Sequence, residues 1–187
     1  LGDDIWVSGD LGEPITALQL QKESKKLVQP VPKVALGLKI RDFATSSIDL
    51  SDGLSSDLRH MILASFSENS DEIFVELYFE EMIKCLSQNM INWFAGKKDN
   101  LDLVMLALQS GDEYELCFSA PVDARTKIRE IGKNLNLPLT LIGSVRERSS
   151  ENNFHWTNNR NDGLVWLKSL TNTFDNIFVE KSGYVHF

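Results

Sequence analysis

Hydrophobic and polar positions follow two periods along the chain, one typical of strands and one typical of helices. Short runs rich in aromatic, leucine and β-branched residues predict strands at residues 5–8, 72–77, 114–119 and 139–142. Apolar residues at helical spacing predict helices over residues 15–28, 33–42, 80–94, 101–108 and 123–135. Strands therefore alternate with helices along the chain.

Proline, glycine and acidic residues indicate where these elements begin and end. Pro14 suits the first position of a helix, and the two prolines of residues 29–32 predict an extended connector. Gly111 follows the helix at 101–108, where a left-handed glycine commonly ends a helix. Asp123 stands where it can cap the N-terminus of the helix that follows it.

The order of elements predicts an α+β fold with mixed α/β layers. Several strand pairs are too far apart in sequence for a simple parallel sheet, which favours a mixed arrangement. A chain of 187 residues can bury one substantial core or two small ones. We therefore interpret residues 1–187 as a single domain.

The charge balance limits the classes of partner. The chain has 19 basic and 27 acidic residues, a formal net charge of −8 at pH 7. Nucleic-acid backbones are bound by clustered lysine and arginine, so this composition argues against a nucleic-acid partner. An anionic substrate would not be attracted by the overall charge, and a cation would have to neutralise any acidic binding turn.

Cysteine usage and the absence of long apolar runs favour a cytoplasmic protein with no membrane partner. Cys85 and Cys117 lack metal-binding or redox spacing, so we expect two buried free thiols in a reducing compartment, although a disulfide is possible. No apolar run reaches membrane-spanning length, and the N-terminus lacks a secretory signal pattern. Because Leu1 lies almost directly before a strand, we expect a cut at a domain boundary.

Residues 47–54 carry the strongest chemical signal in the chain. The pattern predicts a strand, a tight polar turn and the start of a helix. Asp49 and Asp52 are oxygen ligands three residues apart, which suits a magnesium ion that also holds phosphate. Ser51 adds a hydroxyl, and the N–H groups of a helix start attract anions. Equally, Ser51 or Asp52 could be an ordinary N-cap beside a turn glycine.

A second acidic cluster comprises Asp112, Glu113 and Glu115. A loop before the predicted strand can present Asp112 and Glu113 to a cleft. Strand alternation would point Glu115 to solvent. The alternative, favoured by the usual exposure of acidic residues, is a solvated turn without a ligand.

Tyr184, near the end of the chain, is a candidate ligand-binding aromatic residue. Its ring could stack on a flat heterocycle such as a pyrimidine. Alternatively, Tyr184 and Phe187 could be hydrophobic anchors that dock the tail on the core.

No GxSxG, Walker A, GxGxxG or zinc-ligand spacing occurs in the sequence. The absence of these motifs does not exclude phosphoryl transfer, because positioning of the substrates and neutralisation of the phosphate charge can catalyse that reaction without a protein nucleophile.

Five segments of the chain, taken together, resemble segments of one known protein family. The strongest is IDLSDGL at residues 48–54, followed by Asp57 and Leu58. The other four, in chain order, are GDDIWVSG at 2–9, QPVPKVALG at 29–37, SGDEYEL at 110–116 and GYVHF at 183–187. Each segment is weak alone, but their order and rough spacing along almost the whole chain resemble the C-terminal domain of the thiamine-monophosphate kinase family, within the aminoimidazole ribonucleotide synthetase superfamily.

The resemblance implies a fold, a reaction and a set of site residues. The fold is a mixed sheet with helices on its faces. The reaction is the ATP-dependent phosphorylation of thiamine monophosphate to thiamine diphosphate. Asp49 and Asp52 would hold magnesium ions and Ser51 would contact ATP. Asp112 and Tyr184 would hold the thiamine; Glu113 is the alternative to Asp112, since this chain has Asp-Glu where the family usually has Glu-Asp.

The resemblance also implies partners. The family's N-terminal half carries further metal sites, part of the ATP site and the homodimer surface, and it is absent from these 187 residues. We therefore expect the chain by itself to be inactive or nearly so. Two alternatives stay open: another ATP-using member of the superfamily, such as a purine-pathway synthetase, and a non-catalytic domain that binds phosphate or nucleotide.

Overall fold

A computed structural model describes residues 1–66, 73–147, 165–169 and 177–178. Within them the strands are β1 (Asp4–Ser8), β2 (Ser46–Asp49), β3 (Ile73–Tyr78), β4 (Leu116–Ala120), β5 (Leu139–Glu147), β6 (Val165–Lys168) and β7 (Ile177–Phe178). The helices are α1 (Glu13–Leu20), α2 (Lys25–Val28), α3 (Val34–Ile40), α4 (Leu54–Ser65), α5 (Phe79–Lys84), α6 (Gln88–Trp93), α7 (Asn100–Leu108) and α8 (Arg125–Leu135).

The strands form one mixed sheet in the order β2-β4-β1-β5-β3-β6-β7. Neighbouring strands are antiparallel except β3 and β6, which pair parallel. The expected α+β fold, a mixed sheet flanked by helices, is confirmed. In this order β2, which leads into the predicted turn at residues 47–54, lies at the edge of the sheet, beside β4.

Both faces of the sheet are covered because successive side chains of a strand point to opposite faces. From β1, Ile5 and Val7 enter a large core with helices α4 to α7, and Leu58 of α4 is fully buried there. Trp6 enters a second core with α3 and α8, where Ile40 and Ile128 pack. The two cores hold β1, β4 and the start of α4 in fixed positions.

Two of the expected long helices are each divided into two shorter helices. The helix expected at 15–28 stops at Gln21, which has a left-handed φ of 51°, and resumes as α2. The helix expected at 80–94 is interrupted because Leu11 forms a β-bridge with Leu86. The side chain of Ser87 then caps α6 by accepting the Met90 N–H at 3.1 Å.

Three expectations about element boundaries are wrong. The left-handed residues after α7 are Asp112 (φ 57°) and Tyr114 (φ 51°), whereas Gly111 is not left-handed. Strand β4 begins at Leu116 and not at Tyr114, since these left-handed residues are incompatible with a strand. Asp123 lies within a 3-10 turn, and α8 starts at Arg125 without a side-chain cap.

Both cysteines are free and buried, as expected. Burial raises the pKa of the Cys85 thiol to about 12. It raises the pKa of the Cys117 thiol further still. Neither thiol is therefore ionised at neutral pH, and both act as small apolar core residues.

Candidate functional site

The turn between β2 and α4 has the strand–turn–helix geometry that the sequence predicts. Strand β2 ends at Asp49, and residues 50–53 connect it to Leu54, the first residue of α4. The N-cap position is occupied by Gly53, with φ 105° and no side-chain cap. The alternative in which Ser51 or Asp52 serves as the N-cap is therefore wrong.

Asp57 organises this turn from inside the fold. Its Oδ2 accepts the backbone N–H groups of Ser51 at 3.1 Å and Asp52 at 3.2 Å. The residue is only 2% exposed. Burial raises the pKa of the Asp57 carboxyl to about 6, although the two hydrogen bonds from the turn oppose that rise. The sequence contains a signal for this role. Asp57 lies three residues after Leu54, so this acidic residue falls on the apolar face of α4.

The two candidate metal ligands have different surroundings. Asp49 is exposed and Asp52 is half-buried. Ligand atoms of Asp52, Asp57 and His60 lie within 4.8 Å of one another, a group that does not include Asp49. Carboxylate oxygens fit magnesium, while the exposed His60 adds a nitrogen that this ion rarely takes. The fit to magnesium therefore depends on the aspartates.

The acidic turn at 112–115 lies directly against this metal-binding candidate. The Asp112 N–H donates to the Ser51 carbonyl at 2.9 Å, and the Tyr114 N–H donates to the Leu50 carbonyl at 2.8 Å. The Leu50 N–H donates back to the Glu115 carbonyl at 2.9 Å. The fold thus joins two acidic features that are about sixty residues apart in the sequence.

Side chains of the acidic turn point in two alternating directions. Asp112 is half-buried and Tyr114 is partly exposed, and the Tyr114 hydroxyl donates to Asp112 Oδ1 at 3.2 Å. Glu113 and Glu115 instead point inward and are 2% and 3% exposed. The expectation that Glu115 faces solvent is wrong, and so is a fully solvated turn. Asp112, the expected substrate contact, is on the accessible side, whereas Glu113 is not.

Glu113 is held by a backbone donor and a lysine. Its Oε1 accepts the Gly12 N–H at 2.5 Å, and its Oε2 lies 2.7 Å from Lys26 Nζ. Burial raises the pKa of the Glu113 carboxyl, and the Lys26 ammonium opposes that rise. Lys26 also donates to the Asp10 carbonyl. The turn after β1 and helix α2 are thereby tied to the acidic turn.

Glu115 is held by a second set of donors. Ser8 Oγ donates to Glu115 Oε2 at 2.5 Å, and the ammonium of Lys33 lies 3.1 Å from Oε1. Gly9 has a left-handed φ of 61°, and a Cβ there would collide with the Glu115 carboxylate. The glycine-rich turn at 9–14, for which the sequence suggests no specific chemistry, therefore supports the acidic turn.

An open pocket of about 380 Å³ adjoins the two turns. Its polar lining residues are Lys33, Asp49, Tyr114 and Glu115, and its apolar lining includes Pro32 and Val34. Of the expected site residues, Asp49 lines the pocket, whereas Ser51 is joined to Asp112 by the backbone hydrogen bond and is followed by Asp52. Tyr184 lies outside the described residues, so its expected role stays a prediction.

Two curated relatives of the chain are thiamine-monophosphate kinases. The thiamine-monophosphate kinase of Haemophilus influenzae is 32% identical over 163 residues, covering 81% of this chain and 46% of the relative. That of Buchnera aphidicola subsp. Acyrthosiphon pisum is 30% identical over 191 residues, covering 94% and 54%. The chain is a homologue of the thiamine-monophosphate kinases. It spans about half the length of these relatives, and no family model matches it.

Solved structures of thiamine-monophosphate kinases have the same fold. The enzyme from Stenotrophomonas maltophilia K279a is 33% identical with a TM-score of 0.68, covering 80% of this chain and 49% of that chain. AaThiL complexed with AMPPCP and TMP is 25% identical with a TM-score of 0.65, covering 100% and 52%. A hydrogenase maturation protein, HypE, is 14% identical with a TM-score of 0.63, a likeness of fold alone.

Sequence reasoning assigned no role to several residues that hold this candidate site together. Asp57, Lys26 and Lys33 hold the two turns, although no motif singled out the lysines. The pattern shows the lysines as ordinary charges on a helix end and a loop, and their partners are distant in sequence.

In the part of the chain that the structure describes, none of the helices has the length and apolar character needed to cross a membrane.

We expect Gly53→Ala to destabilise the protein by about 2 kcal/mol, since a left-handed non-glycine residue is strained. A Cβ at Gly53 would also lie 3.1 Å from the backbone carbon of Gln109. Denaturant unfolding measures the change. Gly37→Ala in α3 is the matched control, because a Cβ there meets nothing within 4 Å and the helix gains up to ~1 kcal/mol. Equal stabilities for the two variants would contradict the described turn.

Proposed function

We propose that this chain is the C-terminal domain of a kinase that transfers the γ-phosphate of ATP to thiamine monophosphate, giving thiamine diphosphate. The observation that carries the proposal is the junction of the two acidic turns, in which Asp112 is hydrogen-bonded through its backbone to Ser51. That junction puts the proposed metal–phosphate turn beside the proposed substrate contact. The shared name of the relatives and the AaThiL complex with AMPPCP and TMP support the same reaction.

In this proposal Asp49 and Asp52 hold magnesium, and Ser51 contacts ATP. Magnesium, when bound, neutralises phosphate charge during the transfer. Such neutralisation is required here because the site is rich in carboxylates and the chain carries a net charge of −8. The buried Asp57 carboxylate fixes the backbone of Ser51 and Asp52 by accepting their N–H groups, so the turn need not reorganise when the cation binds.

Asp112 and Tyr184 contact the thiamine part of the substrate in this proposal. Asp112 is supported by its place on the accessible side of the acidic turn, next to Ser51. Glu113 is buried against Gly12 and Lys26, which favours Asp112 over Glu113 as the substrate contact.

The complete enzyme in this proposal has an N-terminal domain and forms a homodimer in the cytoplasm. The proposal is supported by the chain's span of about half of its relatives. Val31, Val34 and Leu38 are exposed on and before α3, beside the pocket, and they provide an apolar face for a further domain. Because the proposed N-terminal domain would supply other site residues, the 187-residue chain alone is expected to have little or no activity.

The test is to incubate the full-length protein with ATP, thiamine monophosphate and magnesium and to measure thiamine diphosphate by chromatography. We expect product that disappears when a chelator removes the magnesium. The 187-residue chain, verified by mass, is expected to form little or none. Absence of product from the intact protein at saturating substrates would contradict the kinase. ATP consumption without added thiamine monophosphate would favour another member of the superfamily.

A further inference from the structure

The pocket beside the acidic turn has one aromatic side chain among its lining residues, and this side chain is unusually placed. Tyr114 lines the pocket together with Asp49 at the end of β2. The pocket volume of about 380 Å³ is in the range of small-molecule sites. Asp49 thus belongs both to the pocket and to the turn proposed to hold magnesium.

The backbone of Tyr114 is strained in a way that ordinary packing does not require. Its φ is 51°, in the left-handed region that bulky residues rarely adopt. The conformation is enforced on both sides, since Glu113 and Glu115 are anchored by Lys26 and Lys33. Strain of this kind persists where surrounding structure fixes it, and such positions cluster at ligand-binding sites.

The conformation turns the Tyr114 ring outward, where it gains little from the core. The residue is 36% exposed, and its hydroxyl donates to Asp112 at 3.2 Å. An aromatic residue held at the surface by a buried network serves contact with another molecule better than it serves packing.

The chemistry around the ring selects a class of ligand. The carboxylates of Asp49 and Asp112 favour positive charge, and the ring face attracts cations and stacks on flat heterocycles. Pro32 and Val34 are also lining residues and supply apolar contact. Lys33 is engaged by Glu115 at 3.1 Å, so it offers little attraction to an anion. The pocket suits a cationic heteroaromatic ring better than a phosphate group.

We propose that Tyr114 binds the positively charged heteroaromatic ring of the substrate in this pocket. The inference rests on the proposed function, because thiamine monophosphate combines a cationic thiazolium and a pyrimidine with a phosphate. The ring occupies the pocket between Tyr114 and α3, and the phosphate end belongs to the turn that contains Asp49 and Asp52. Tyr114 is therefore a binding residue that sets specificity for the ring.

The test uses the full-length protein with Tyr114→Asn and Tyr114→Phe. Asparagine tolerates the left-handed backbone but removes the ring, whereas phenylalanine keeps the ring and removes the hydroxyl. We expect Tyr114→Asn to raise KM for thiamine monophosphate about tenfold, while Tyr114→Phe changes it by less than about threefold. KM for ATP should stay within about twofold for both variants.

Gln21→Asn is the matched control, because Gln21 has the same φ of 51° and lies outside the residues that line the pocket. It should leave both KM values unchanged. An unchanged KM for thiamine monophosphate in Tyr114→Asn, or an increased KM for ATP in its place, would overturn the ring site. Thermal unfolding of each variant shows whether an effect comes from the fold.

Calorimetric titration of thiamine monophosphate without ATP separates this inference from the proposed function. Weaker binding to Tyr114→Asn than to wild type, with no product from wild type, would support the ring site and refute the kinase. Product from wild type with equal binding to both proteins would refute the ring site and leave the kinase intact. No binding to wild type would refute the ring site whether or not product forms.

Discussion

Asp52→Asn in the full-length protein is expected to lower thiamine diphosphate formation at least about 100-fold, because a neutral amide cannot replace a carboxylate that holds a phosphate-bridging cation. The fold should not change, since asparagine has nearly the same shape and the Asp52 backbone N–H can still donate to Asp57. Steady-state kinetics across a magnesium series measures the effect. Thermal unfolding should give a Tm close to that of wild type.

Asp42→Asn is the control for the loss of one acidic charge. Asp42 is exposed and pairs with Arg41 at 3.3 Å on the protein surface. Its substitution should leave turnover within about twofold of wild type, because exposed ion pairs contribute little. Wild-type turnover in Asp52→Asn would show that the metal assignment is wrong. A similar loss in Asp42→Asn would show that net charge, and not a ligand, is responsible.

Glu113→Ala is expected to be the most destabilising substitution in the acidic turn, by about 3 kcal/mol. It leaves the Gly12 N–H without its acceptor and removes the carboxylate that faces Lys26 at 2.7 Å. The loss falls at the low end for a buried pair, because the Lys26 side chain is 22% exposed and can regain water. For a chain of this size the Tm should drop by about 6–12 °C.

Two controls separate the buried network from charge alone. Glu113→Gln keeps an acceptor for Gly12, so it should recover part of the lost stability. Glu81→Ala breaks the exposed pair with Lys84 at 2.6 Å and should cost less than about 1 kcal/mol. Calorimetric unfolding measures all three variants. A Tm for Glu113→Ala equal to that of Glu81→Ala would contradict the buried network.

Local pattern was sufficient for the elements that position the site. Strand β1, the β2–α4 turn and helix α7 were predicted because each has a clear apolar period or a marked boundary. The mixed sheet followed from the order of strands and helices together with the resemblance to a known family. Asp49, Ser51, Asp52 and Asp112 were named from sequence; in the structure Asp49 lines the pocket, and Ser51 is joined to Asp112 by a backbone hydrogen bond.

Tertiary contacts explain what the pattern could not predict. The break between α5 and α6 exists because Leu86 pairs with Leu11, about seventy-five residues away. Glu113 and Glu115 are buried because Lys26 and Lys33 approach from another part of the chain. A one-dimensional pattern treats these acids as solvent-facing, since it contains no information about distant partners.

The most direct test of the account is a crystal structure of the full-length protein with manganese, AMPPCP and thiamine monophosphate, using the anomalous signal of manganese to locate the cation. The account predicts a peak bonded to the carboxylate of Asp49 or Asp52, with nucleotide phosphates on the same ion and a substrate ring against Tyr114. A cation bound elsewhere, with the turn at 49–53 contacting neither cation nor phosphate, would contradict it.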